Sequence, residues 1–234
     1  MSDQQVAIVT AASRGIGGAC ARELAARGYA VALMARSEDV RQLADELGGV
    51  SHLGSVDRPE DLAALVELTI STYGRVDAVV NNTGHPPRGT LLELTDADWH
   101  AALDLLVLNV VRMARLVTPI MERQGGGAIV NVSTFGAVEP NLAFPLSSSL
   151  RAALAAVTKL YADAHGHSGI RMNSILPGYL DNYELSDQTR EAIPMHRAGM
   201  LSEVARTAAF LLSPDAGYIN GQSIRVDGGL TRSF

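Results

Sequence analysis

Thr10-Ala11-Ala12-Ser13-Arg14-Gly15-Ile16-Gly17 is the first stretch whose residue types and spacing could do chemistry. It follows a short apolar run, Val6-Ala7-Ile8-Val9, and opens a segment of helical periodicity. Glycines at such a turn let the backbone approach a pyrophosphate, whose charge is met by N–H groups at the helix terminus. A pair of glycines is weak on spacing alone and also suits an ordinary strand–helix turn. The strand before it and the helix after it favour a dinucleotide site. The single cysteine, Cys20, excludes an internal disulfide framework and a cysteine metal cluster, so no metal site is expected.

The elements that must hold this loop can be read along the chain. The pattern predicts strands at 6–9, 29–34, 76–80, 128–132, 171–175 and 223–226. Helices are predicted at 16–28 with Gly28 as the stop, 38–47, 59–73 opened by Pro59, 96–121, 147–165 and 202–212. Residues 50–53 read only as a short segment. Apolar strands alternating with helices imply a single-domain, Rossmann-like, doubly wound α/β fold with a mainly parallel sheet covered on both faces. No linker or repeat breaks the alternation, so residues 1–234 are read as one dinucleotide-binding-type domain, with a short substrate loop at about 180–200.

Composition narrows the function classes. The 234 residues are 47% hydrophobic and 19% charged, below the ~25% charged of an average globular chain, which fits a large buried core. A net charge of −6 argues against a nucleic-acid or anionic-membrane partner. The longest apolar stretch, 101–121, is interrupted by Asp104, Asn109, Arg112 and Arg115, which a membrane span would not tolerate. The start, Met1-Ser2-Asp3-Gln4-Gln5, lacks the basic region of a signal peptide, and a cytoplasmic protein acting on a small molecule is expected.

Four ordered landmarks resemble the short-chain dehydrogenase/reductase family across nearly the whole chain. Residues 10–17 resemble its Thr-Gly-x-x-x-Gly-x-Gly loop, with Ala11 in place of the first glycine. Asn81-Asn82-Thr83-Gly84 resembles Asn-Asn-Ala-Gly, residues 170–178 the strand ending in Pro-Gly, and 221–229 the C-terminal strand. The resemblance implies a nicotinamide dinucleotide held by Thr10, Ser13, Arg14, Gly15, Ile16, Gly17, Arg36, Ser55, Val56, Asn82, Gly84, Pro177, Gly178 and Leu180. Ala35 stands where an acidic residue would accept from a ribose hydroxyl, and Arg14 and Arg36 suit a 2′-phosphate, so NADP(H) is expected over NAD(H). Ala11, Ser55 in place of an aspartate and Asn182 in place of a threonine depart from the pattern and predict a weakened site.

The resemblance also implies an Asn–Ser–Tyr–Lys catalytic set. Counting seven residues from Trp99 and along the strand end Asn131-Val132-Ser133-Thr134 places these positions at Leu106, Thr134, Ser147 and Arg151. A serine hydroxyl is far too weak an acid to replace tyrosine, whose reference pKa is about 10, and Arg151 keeps a charge without shuttling protons. His85, after the Asn-Asn-Thr-Gly turn, and Tyr179, after Pro177-Gly178, are the nearby residues able to move a proton; loop packing is the plain role for each. Asn109, Lys159 and Tyr161 lie at less suitable helical positions, the last two expected to face solvent or a partner subunit.

Three functions remain open at this point. Non-redox chemistry on a small molecule (elimination, cyclisation or isomerisation), needing no cofactor, is placed first, with Arg151 stabilising an enolate or carboxylate. An NADP(H)-dependent ketoreductase with a substitute proton donor, and a catalytically silent partner subunit or dinucleotide-sensing module, are the alternatives. The retained loop at 180–200, with Tyr183, Met195 and His196, is the reason for the first placing. Small residues on helix 147–165 (Ser148, Ala152, Ala155, Ala156), which the family pairs across subunits together with helix 96–121, imply a homo-oligomer, dimer or tetramer.

Overall fold

Apolar residues in the first strand sort by parity, and that parity sets the layers. In β1 (Val6–Thr10), Ala7 and Val9 face one core while Ile8 faces the other. β2 (Ala30–Ala35) repeats the rule, with Val31 and Leu33 on the first side and Ala32 and Met34 on the second. Strands buried on both faces need helices on both faces. α1 (Gly15–Ala26), α2 (Asp39–Glu46) and α8 (Leu201–Leu212) cover the first through Leu24, Leu43 and Ala208. α3 (Pro59–Tyr73), α5 (Asn109–Gln124) and α6 (Pro145–His165) cover the second through Leu65, Met113 and Leu154.

The computed structural model describes residues 4–233; the first three residues, part of the start read above for its lack of a leader, lie outside them, as does Phe234. β3 (Val50–Leu53), β4 (Ala78–Asn81), β5 (Gly127–Val132), β6 (Ile170–Pro177) and β7 (Ser223–Val226) complete a seven-stranded sheet of order β3-β2-β1-β4-β5-β6-β7. Every pairing is parallel; Val9 lies opposite Leu33 on one side and Val80 on the other. The chain order reverses between β1 and β4, the position at which doubly wound sheets open a crevice at the carboxyl ends of their strands. Among the described residues, no helix is long and apolar enough to cross a membrane, and no cluster of His, Cys, Asp and Glu could hold a metal ion.

Several expectations are corrected. Residues 50–53 are a strand, β3, paired with β2 at the sheet edge. The helix expected over 96–121 is α4 (Asp96–Leu103), a π-helical turn (Asp104–Leu108) and then α5, which runs on to Gln124. α7 (Asp187–Ala192) was missed inside the 180–200 loop, being short and polar. The strand expected over 76–80 begins at Ala78, because the preceding Asp77 carboxylate accepts from the Val6 N–H at 2.8 Å and is gripped by Arg75. Tyr161 does not face solvent: its hydroxyl is 2.6 Å from Thr118 Oγ1, which joins α6 to α5. Ser148 is buried and accepts from the Asn141 N–H, whereas Ala152 and Ala156 stay exposed on α6 beside Leu160.

Candidate active site

The loops leaving the carboxyl ends of β1 to β6 enclose one cleft of about 1260 Å³. At one end lie Ser13, Arg14, Gly15 and Ile16 from the glycine loop, Arg36 after β2, Ser55 and Val56 after β3, and Asn82 and Gly84 after β4. Two backbone features shape the glycine loop. Ala11 holds φ at +46°, the left-handed region that favours glycine, so the departure foreseen in the sequence is a real backbone constraint. A Cβ on Gly17 would lie 2.3 Å from the Ala11 carbonyl oxygen and 2.8 Å from Asn82 Nδ2, so no larger residue fits.

Thr10 and Gly17 shape this end from behind and do not line it. The Thr10 hydroxyl is occupied: it donates to the Asn82 carbonyl at 2.7 Å and accepts the Asn82 N–H at 2.9 Å, locking β1 to β4. The Ser55 N–H donates to Asp61 at 2.8 Å, which fixes that loop beneath Arg36.

At the other end lie Thr134, Ser147, Arg151, His85, Tyr179, Pro177, Gly178 and Leu180, all lining the same cleft. Thr134 lies two residues past β5 and its hydroxyl caps the following short turn by accepting from the Gly136 N–H. Ser147 stands one helical turn before Arg151 near the start of α6. Arg151 is only 8% exposed; its guanidinium donates to the Val132 carbonyl and forms no ion pair among the described residues. Burial pushes its pKa down to about 10, which leaves it charged at neutral pH. Leu106 is fully buried, and Leu105 lines the cleft instead. The wide π turn carrying both shifts the facing of the helix, which residue counting along a regular helix cannot anticipate.

His85 and Tyr183 are the pair that sequence spacing could not join. They are 98 residues apart, yet His85 Nε2 and Tyr183 Oη lie 3.0 Å from one another with the rings edge to face. Partial desolvation, then the charges of Arg88 and Arg151, hold the His85 pKa below the ordinary imidazole value. Tyr179 instead packs its ring on Phe135, at 5.4 Å between centroids, and Phe135 meets Phe144 at 5.7 Å. Two further lining hydroxyls escaped the sequence reading: Thr83 Oγ1 and Ser133 Oγ are buried without a hydrogen-bond partner among the described residues. Buried polar atoms left open in this way are satisfied by ordered water or by a ligand.

The loop bearing Tyr183 is pinned at its base, where Gly199 N–H donates to the Tyr179 carbonyl and Asp181 N–H to the Gly199 carbonyl, each at 2.9 Å. A parallel sheet with its crevice at the β1/β4 switch defines a Rossmann-like, doubly wound α/β protein. The chain matches the family profile described as Enoyl-(Acyl carrier protein) reductase over residues 10–231. It is 33% identical over 238 residues to the 3-oxoacyl-(acyl-carrier-protein) reductase FabG of Staphylococcus epidermidis, covering 96% of this chain and 98% of that one. The chain therefore belongs to the short-chain dehydrogenase/reductase family of oxidoreductases.

Solved structures agree. The L-sorbose reductase of Gluconobacter frateurii, complexed with NADPH and L-sorbose, superposes with a TM-score of 0.92 at 32% identity, covering 99% of this chain and 98% of that one. A 7α-hydroxysteroid dehydrogenase complexed with NADH and 7-oxoglycochenodeoxycholic acid gives 0.90 at 29% identity, covering 97% and 94%.

Proposed function

We propose that the protein is an NADP(H)-dependent reductase of a small carbonyl compound, in which the His85–Tyr183 pair supplies the proton. The observation that carries this reading is the continuous cleft linking the glycine loop and Arg36 to that pair. The residues fit a dinucleotide: a close-packed loop at Gly17, two arginines at one end, and the open hydroxyls of Thr83 and Ser133 along the wall. When bound, the reduced dinucleotide would supply hydride to the carbonyl carbon. Arg151 then faces the developing oxyanion with a fixed positive charge, Thr134 and Ser147 hold the oxygen, and Tyr183 donates its hydroxyl proton. His85, at the cleft mouth, returns a proton to the phenolate.

In this reading the tyrosine and lysine positions of the family's catalytic set carry Ser147 and Arg151, while the count from Trp99 to Leu106 crosses the π turn and leaves the asparagine position unassigned. The relatives named above are reductases and a dehydrogenase, which supports hydride transfer over elimination, cyclisation or isomerisation and over a silent subunit. The reading takes residues 1–234 as one domain with its substrate loop near 180–200, working as a homo-oligomer across the exposed face of α6.

Calorimetric titration with NADPH and NADH tests it. Tighter binding of NADPH is expected, and Arg36→Ala removes most of the difference by deleting a charge-assisted bond to the 2′-phosphate, about tenfold or more in affinity. Binding of neither dinucleotide, or equal binding with no effect of Arg36→Ala, contradicts the assignment.

A further inference from the structure

We infer that the end of the cleft lined by Thr134, Ser147 and Arg151 is built for a substrate bearing a carboxylate on a flat apolar body, the carboxylate being met by Arg88 with the buried charge of Arg151 behind it. This rests on the reductase reading, since it names the substrate class of the same site.

Charge is the first support. The chain carries −6 overall, yet Arg88 and Arg151 both line this end of the cleft. Arg151 is almost wholly buried and no carboxylate of the described residues pairs with it. A buried cation without an anion is costly, and it persists where a ligand supplies the missing charge. Glu184, the acidic side chain lining the same end, is exposed and forms no ion pair with either arginine. Arg88 itself is exposed on the loop that follows His85, where it can fold over an arriving anion without first breaking a salt bridge.

Shape is the second. Phe135, Phe144 and Tyr179 form a run of contacting rings along the wall of this end, with Leu105 and Leu146 beside them. Such a wall takes a planar apolar body. Guanidinium groups at the end of it select a carboxylate through paired N–H donors. A neutral sugar or a long flexible chain would leave either the arginines or the rings without a partner.

The test uses the full chain, with and without saturating NADP⁺, and calorimetric titration with benzoate and phenylacetate against benzamide and phenylacetamide. The carboxylates are expected to bind about tenfold or more tightly than the amides. Arg88→Gln should remove that preference while leaving NADP⁺ affinity unchanged, and Arg88→Lys should restore part of it. Equal binding of acid and amide overturns the inference, as does a preference that survives Arg88→Gln or is lost on Arg36→Ala instead. Failure of NADP⁺ to bind while the acids still discriminate would count against the reductase reading alone.

Discussion

Tyr183→Phe is expected to lower turnover of NADPH-dependent reduction by about 10²–10⁴-fold, the usual worth of a positioned acid, with NADPH affinity unchanged. The substitution removes one oxygen and keeps the ring against His85, so the loop base at Tyr179, Asp181 and Gly199 is undisturbed. His85→Gln keeps a hydrogen-bonding side chain beside Tyr183 and should cost less, because solvent at the mouth can still return the proton. The pH profile separates the two roles. Desolvation, Arg88 and Arg151 hold the imidazole below its ordinary pKa of about 6.5, so the imidazolium is a stronger acid than usual and forms only on the acid side of that value. Reduction by the native chain should therefore quicken as pH falls through the His85 pKa, and the reverse oxidation should slow. His85→Gln should flatten that limb. A profile unchanged in His85→Gln, with full activity in Tyr183→Phe, would remove the pair from the mechanism.

Gly17→Ala is expected to weaken NADPH binding by roughly 5- to 150-fold, the equivalent of the ~1–3 kcal/mol typical of overpacking. The added methyl would meet the Ala11 carbonyl oxygen and Asn82 Nδ2, and the first is backbone of the loop itself. To make room, the loop must move, and Ala11 is already held at a positive φ. Ala11→Gly works in the opposite direction: it relieves a left-handed conformation costing an alanine about 1–2 kcal/mol, so it should raise thermal stability without loss of binding. Fluorescence titration and thermal melts of the two variants measure both effects. Unchanged affinity in Gly17→Ala would mean that the loop does not cradle the dinucleotide.

Much of this architecture was legible in the residues because burial on both faces leaves a plain signature. Runs such as Val6-Ala7-Ile8-Val9 and Ala30–Ala35 are apolar at successive positions, as strands of a parallel sheet covered on both faces must be. β3 escaped because Val50–Leu53 lies at the sheet edge, half-exposed, and carries Ser51 and His52 between its two apolar ends. The glycine loop and Arg36 could be placed from local spacing, since each sits directly after a strand. The end holding His85 and Arg151 could not. Leu106 looked like a cleft position until the π turn altered the facing of its helix, and nothing in the local pattern marks such a turn. Tyr183 meets His85 only through tertiary folding, and the burial of Arg151 depends on how α6 packs over β5. The sequence pointed to Tyr179 and not Tyr183 as the proton donor; in the structure the Tyr179 ring packs on Phe135 while Tyr183 meets His85.

Isotopic labelling decides whether the cleft passes a hydride from NADPH to a small carbonyl compound, as proposed. The full chain is incubated with NADPH deuterated at the transferring position of the nicotinamide and a panel of 2-oxo and 3-oxo acids with their neutral analogues. The products are then read by mass spectrometry. The expected product is an alcohol carrying one deuterium on the former carbonyl carbon, formed from the acids in preference to the neutral compounds and greatly diminished in Tyr183→Phe. An unlabelled product, whether rearranged, cyclised or dehydrated, or no product from a chain saturated with NADPH, would contradict the proposal.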